Sequence, residues 1–312
     1  MLFKNIHIYR FTKPFTLGID ELEQKLAEAA IQPCGPQETS RQGWAFPLGK
    51  HGVQYVHCTN DSMMLSLARE ERILPSSVIK EMLDERVQSI EDDQNRKVRK
   101  KEKDELKDQI ITELLPKAFK RSQYTQGYID RKNGWLIINT SSAKKADDFT
   151  SFLRKTLGSL PVMFPEVQQS PSAIMTSWLQ DSDSLAQDFI LKDECELQSQ
   201  ADDRSVVRCK GLDIEGDEVQ GHIKAEMRVV KLALDWQDRI SFILNEDLTL
   251  KRIKFGEFLN EKLSESQLET AAEKFDASFA LMSLEFAELI ERLLSLFGGE
   301  DRSKIVEEHQ AA

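Results

Sequence analysis

The 312-residue chain has only 4 cysteines, 14 glycines and 9 prolines, and each scarcity removes a class of protein. Cys34, Cys58, Cys195 and Cys209 are widely spaced with no CxxC pair, so neither a zinc ribbon nor a disulfide scaffold is encoded, and the thiols are expected to be reduced. Gly and Pro are too sparse for a low-complexity or disordered chain. GxGxxG and GxxxxGK(S/T) loops are absent, as are GxSxG, HExxH and DFG-like sets. Long apolar runs are also lacking. The richest stretch, Phe279 to Phe297, is interrupted by Glu285, Glu288, Glu291 and Arg292, the pattern of an amphipathic helix rather than of a membrane span of about 20 residues. The opening text, MLFKNIHIYRF, has no apolar stretch or cleavage site of a signal peptide. A cytoplasmic location without a membrane partner is the expectation.

Charge is abundant and unevenly placed. There are 53 acidic and 42 basic side chains, a formal net charge of −11, which excludes a uniformly basic coat for nucleic acid. Residues 94–121 reverse that balance, with ten basic side chains (Arg96, Lys97, Arg99, Lys100, Lys101, Lys103, Lys107, Lys117, Lys120, Arg121) against five acids, net +5, leaving −16 on the rest. Smaller basic clusters follow at Arg131 and Lys132, at Lys144 and Lys145, at Arg204, Arg208 and Lys210, and at Lys251, Arg252 and Lys254. Such segregation suits a face that attracts phosphate, although a solvated helical arm with intrahelical Glu and Lys pairs would read the same way. Without interleaved aromatics, the clusters favour backbone contact with duplex DNA over base stacking on single strands. No helix-turn-helix or zinc finger is apparent. Phe119, among Lys117, Lys120 and Arg121, is either a core anchor or an exposed self-association contact.

Hydrophobic periodicity predicts an α+β fold with antiparallel sheets, packed helices and a projecting helical arm. Phe3 to Phe11 alternates as a strand, and Thr16 to Ala30 repeats as a helix. Pro33 to Gly52 reads as an ordered loop, followed by strands at Tyr55 to Thr59 and Met63 to Glu70. Between Pro75 and Pro116 there is neither Gly nor Pro, so the segment should be helical; continuous over 76–100 it would be about 37 Å long, with Asp104 capping a returning helix. Trp135 to Asn139 is a strand and Ser142 to Leu157 a helix ending at Gly158. Residues 181–203 are acid-rich, and Glu215 to Arg228 is helix-like. A meander of Val229 to Trp236, Ile240 to Asn245 and Thr249 to Phe255 precedes a helical pair over Ser266 to Phe297 and a frayed tail over Glu300 to Ala312. The parts are then 1–74 and 122–180 as central body, 75–121 as arm, and 181–312 as C-terminal α+β part. Asp213, Glu215, Asp217 and Glu218 fit a helix's first turn better than a magnesium site. His51, His57 and Cys58 with Cys34 match no standard metal spacing.

The text of the chain resembles the RdgC family of bacterial recombination-associated proteins along its length. The phrases that carry the likeness are FKNIHIYRF, PCGPQETSRQGW, ERILPSSVIKEMLDERV, LKDQIITELLPKAF, SAKKADDFTSFLRKTLGSLPV, KLALDWQDRISFILNEDLTLKRIKF and FDASFALM. The resemblance implies a non-enzymatic, cytoplasmic or nucleoid-associated protein without cofactor. It would bind DNA with little sequence preference, mainly as duplex with single strands kept open as a second ligand, and restrain the RecA recombinase. It also implies a ring-shaped homodimer with a basic central hole, the basic clusters as parts of its lining and Phe119 as a ring-closing contact. Two other classes stay open: a magnesium-dependent nuclease acting on recombination intermediates, and a purely protein-binding regulator.

Overall fold

Alternation along the first strand puts Ile6 and Ile8 in the core and turns His7 and Tyr9 to the opposite face. The computed structural model describes residues 2–201, 205–257, 259, 261–262 and 270–305. In chain order the elements begin with β1 (Ile6–Phe11), α1 (Ile19–Glu28), β2 (Ser40–Ala45), β3 (His57–Thr59), β4 (Ser62–Ile73), α2 (Ser76–Gln94), α3 (Lys100–Leu114) and β5 (Phe119–Asp130). They continue with β6 (Trp135–Asn139), α4 (Ala143–Leu157), β7 (Val162–Met163), α5 (Pro171–Gln180), β8 (Phe189–Ser199), β9 (Val206–Lys210) and α6 (Asp217–Lys224). The last are β10 (Met227–Trp236), β11 (Ile240–Asn245), β12 (Leu250–Phe255) and α7 (Ala271–Leu296). They fall into two compact units, one of Met1–Lys25, Phe46–Leu65 and Thr125–Ala312, the other of Leu26–Ala45 and Ser66–Tyr124.

The larger unit is an antiparallel sheet in the order β5-β6-β1-β12-β11-β10-β8-β9, with β7 added to β1. Its principal core lies on one face, where α7 buries Phe279, Met282, Phe286, Leu289, Ile290 and Leu293 at helical spacing, joined by Met175 and Trp178 of α5 and Val219 and Ile223 of α6. Thr270 starts α7 through a capping box, accepting from the Glu273 N–H at 3.2 Å while the Glu273 carboxylate accepts from the Thr270 N–H at 3.0 Å, which satisfies two otherwise unpaired donors. Helix α4 buries Phe149 on the other face of the sheet; its ring lies 3.0 Å from where a Cβ on Gly127 would stand, so any larger residue there would displace the ring.

In the smaller unit the order is β2-β4-β5. Gly43 passes so close beneath Ala30 and Ile31 that a Cβ would meet the Ile31 backbone at 2.5 Å. Helices α2 and α3 pack on each other, burying Val87 and Ile110, with Arg86 bonded to Glu113 at 2.5 Å. The Arg72 guanidinium donates to the carbonyls of Leu115 at 2.8 Å and Gly35 at 3.2 Å, tying the end of α3 to the loop before β2.

Several expectations are corrected. Residues 76–100 are not one helix: Asn95 adopts a left-handed backbone (φ 46°) after α2, Val98 is buried, and at 1.5 Å per residue α2 spans about 28 Å. Arg99, not Asp104, occupies the N-cap of α3, and its side chain makes no capping bond. The loop Pro33 to Gly52 contains β2, and the acid-rich stretch 181–203 contains β8, whose charges alternate with buried Cys195 and Leu197. Strands β5, β7, β8 and β9 and helix α5 lie outside the elements that the periodicity predicts. The expected helical pair is a single described helix, α7; Ser266 lies outside the described residues. The first tail residues are docked rather than frayed, since the Asp301 N–H donates to Glu166 at 2.8 Å and Glu300 pairs with Arg10 at 2.8 Å; residues 306–312 lie outside the described residues.

Candidate nucleic-acid interface

On the face of the larger unit's sheet opposite α7, strands β9, β8, β10, β11 and β12 carry a groove of about 460 Å³. Strand alternation assembles it. Arg208 stands opposite Glu196, Glu196 opposite Lys231, and Lys231 opposite Asn245, a single row across four strands. Lys210 stands opposite Glu194 in the adjoining row. At β12 a bulge adds a further pair: the Arg252 backbone sits at φ 52° where the β11–β12 register shifts, so that Leu250 and Ile253 are buried while both Lys251 and Arg252 line the groove. Such bulges re-aim side chains. The lining holds five basic side chains against two carboxylates and no aromatic ring.

Those carboxylates are engaged with the cations. Lys231 Nζ and Arg208 Nε each donate to Glu196 at 2.8 Å, and Arg252 Nη1 contacts both Glu194 oxygens at 2.7 Å. Burial alone would raise the Glu196 carboxyl, but the bonds from Lys231 and Arg208 outweigh it and hold the group below its usual range. Arg208 is 76% exposed, so its pair contributes only about 0.2–1 kcal/mol. A phosphate, bringing its own charge-assisted bonds, can displace such a carboxylate. Beneath the groove Cys195 and Cys209 are cross-strand neighbours facing the core, and burial pushes the Cys195 thiol up to about 12, which leaves it inert as a nucleophile.

The remaining predicted basic residues that are described are all exposed and do not line this groove. Lys100, Lys101 and Lys103 lie in the opening turns of α3, where the helix dipole disfavours cations; with Arg99 and Lys117, they make no ion pair among the described residues. Arg96 pairs with Glu102 at 2.6 Å and Lys97 with Glu91 at 2.7 Å. Lys120 pairs with Glu70 at 2.9 Å, and the Arg121 Nε donates to Glu71 at 2.9 Å. Arg131 and Lys132 occupy the β5–β6 turn, and Lys144 and Lys145 the first turn of α4. Arg204 lies outside the described residues. Of the predicted clusters, the groove unites Arg208 and Lys210 with Lys251 and Arg252. Lys231 was missed, although a lone lysine at the start of the apolar run LALDW is the available signal. Phe119 is 85% exposed, so within one chain it anchors no core.

Asp217 and Glu218 lie in the first turn of α6 and Asp213 accepts from the Glu215 N–H at 3.1 Å. His57 bonds Asp276 at 3.1 Å and Cys34 Sγ donates to the Glu38 carbonyl at 3.2 Å. Among the described residues no three His, Cys, Asp or Glu side chains converge as metal ligands would, and no helix is long and apolar enough to cross a membrane.

Comparison with known proteins gives one family. Residues 1–300 match the model of the family described as "Putative exonuclease, RdgC". A protein of Psychromonas ingrahamii named "Recombination-associated protein RdgC" is 44% identical over 300 residues, covering 96% of this chain and 99% of its own. Relatives with the same name from Aeromonas hydrophila, 42% identical over 303 residues (97% and 100% covered), and Tolumonas auensis, 43% identical over 300 residues (96% and 99% covered), are similar throughout.

Proposed function

The chain belongs to the RdgC family of recombination-associated proteins, and on that premise we propose that it is a non-enzymatic, nucleoid-associated protein that binds duplex DNA without sequence preference. The observation that carries this reading is the sheet groove in which Arg208, Lys210, Lys231, Lys251 and Arg252 meet. Its cations are aimed outward, held only by exchangeable carboxylates, and unaccompanied by the aromatic rings that single-strand stacking uses. Lys100, Lys101 and Lys103 of the smaller unit supply further exposed basic side chains.

In this reading the protein acts by occupancy. Its basic side chains neutralise phosphates and release counterions, and a homodimer that encircles the duplex obstructs growth of a RecA-type filament on the same DNA. Phe119 is the proposed self-association contact. No residue is catalytic and no cofactor is required.

Fluorescence anisotropy of two unrelated labelled duplexes, without metal and across a salt series, tests the reading. Equal affinities are expected, with log affinity falling by about 0.9 per phosphate neutralised for each decade of salt. Absence of binding at low salt would overturn it in favour of a protein-binding regulator. The description "exonuclease" attached to the family model gives a second arm: labelled DNA incubated with the protein and magnesium should stay intact, and its chelator-sensitive degradation would overturn the non-enzymatic assignment.

A further inference from the structure

A second cavity in the larger unit, of about 740 Å³, opens where β1, the start of α4, the segment 164–171 and the β11–β12 turn come together. Five carboxylates line it, and no Lys or Arg does. Glu166 is occupied by Lys304 at 2.6 Å, Asp247 accepts from the Thr249 hydroxyl at 2.6 Å, and Asp301 accepts from the Ser303 N–H at 3.0 Å. Asp147 and Glu246 have no side-chain partner among the described residues. The Glu246 side chain is exposed, yet partial desolvation and the neighbouring Asp247 charge push its carboxyl up.

The floor supplies an independent sign of a missing partner. His7 and Tyr9 are each only 5% exposed, both line the cavity, and His7 Nε2 and Tyr9 Oη have no hydrogen-bond partner. Buried polar atoms are nearly always paired, and an orphan costs about 1–3 kcal/mol. Burial also lowers the His7 pKa, which favours the neutral ring, in which one of the two nitrogens is an acceptor. The walls are apolar: Phe164, 54% exposed, stacks on Tyr9 at 4.9 Å, beside Pro165, Val167 and Leu248.

Two helix N-termini, those of α4 and α5, also reach the cavity. Each contributes only about half a positive charge, and Ser142 and Ser170 already cap them. The carboxylates therefore decide the sign. They are not gathered tightly enough to hold a metal ion, and the cavity lies within the size range of small-molecule sites. We propose that this cavity binds an aliphatic amine: one or more ammonium groups held by Asp147, Glu246 and the His7–Tyr9 floor, on a hydrocarbon stem packed against Phe164.

Isothermal titration calorimetry of the full-length protein at low salt, without DNA, tests this independently of the DNA-binding proposal. The probes are 1,5-diaminopentane, spermidine and, for an ammonium carried by a protein side chain, Nα-acetyl-lysine methylamide. Saturable binding of an amine is expected, weakened about tenfold or more by the double variant Asp147→Asn, Glu246→Gln and also by Phe164→Ala. The control Glu215→Gln, Asp217→Asn, outside the cavity, should leave binding unchanged. Binding of the free amines but not of the lysine derivative identifies a small polyamine as the ligand; comparable binding of the lysine derivative supports the same site with a protein-borne ammonium. The proposal is overturned if no probe binds at millimolar concentration, or if the cavity double variant, folded by circular dichroism, binds as the parent does, which would mean diffuse attraction to an acidic protein.

Discussion

Lys251 and Arg252 are consecutive in β12 yet line the same groove, because the left-handed backbone of Arg252 (φ 52°) inserts a bulge between buried Leu250 and Ile253. In a regular strand one of the two would face the core. Reversing both, Lys251→Glu with Arg252→Glu, should weaken binding to unrelated duplexes alike, by about tenfold or more, and make the salt slope shallower by about 1 per lost phosphate contact. A double variant with parental affinity in the anisotropy titration would remove the groove from the DNA path.

Glu196 restrains two of the groove's cations at once, through its 2.8 Å bonds from Lys231 and Arg208. DNA must compete with it. Glu196→Gln should therefore tighten binding, by about twofold to tenfold if the released pairs are worth about 0.4–1.4 kcal/mol. Weaker binding would mean that Glu196 orients the cations instead of occupying them.

The groove was only partly legible in the sequence because its residues come from strands whose order is nonlocal. Arg208 and Lys210 could be seen as one cluster and Lys251 and Arg252 as another, but their union depends on β10 and β11 lying between β8 and β12. The meander itself was readable from its alternation and its turn at Gln237 and Asp238, both with positive φ. Strand β8 was not, since one of its faces is charged and the core face carries Cys195 beside Leu197. The break at Asn95 lacked the Gly or Pro that usually announces one; buried Val98, the one apolar residue in that stretch, was the trace it left.

Lys100, Lys101 and Lys103 stand in the opening turns of α3, at the end where acids are favoured by about 0.3–1 kcal/mol each. Their placement works against helix stability, so charge reversal separates function from folding. The triple variant to Glu should melt no lower than the parent by circular dichroism while losing DNA affinity. Unchanged affinity would take this surface out of the binding site.

Phe119 begins β5 with 85% of its surface exposed. Replacing a side chain so little buried should alter unfolding free energy by no more than about 0.5 kcal/mol. Phe119→Ser should nevertheless shift sedimentation toward the monomer if the ring forms a self-association contact. Denaturant unfolding and sedimentation measured together discriminate: a stable variant with parental self-association would exclude the contact.

Asp188, just before β8, is held by α7 through a two-pronged contact, with Arg292 Nε and Nη2 donating at 2.7 and 2.8 Å. The Arg292 bond holds the Asp188 carboxyl below its ordinary 3.8. With the folded pKa depressed, the stabilisation is complete above the unfolded value and is lost as pH falls through the folded one. Asp188→Asn should cost about 1 kcal/mol at neutral pH, since partial exposure of both partners screens the pair. The gap between variant and parent in urea unfolding should shrink below about pH 4, as the parent's own carboxyl takes up its proton. A gap constant down to about pH 2 would assign the loss to packing rather than to the charged pair.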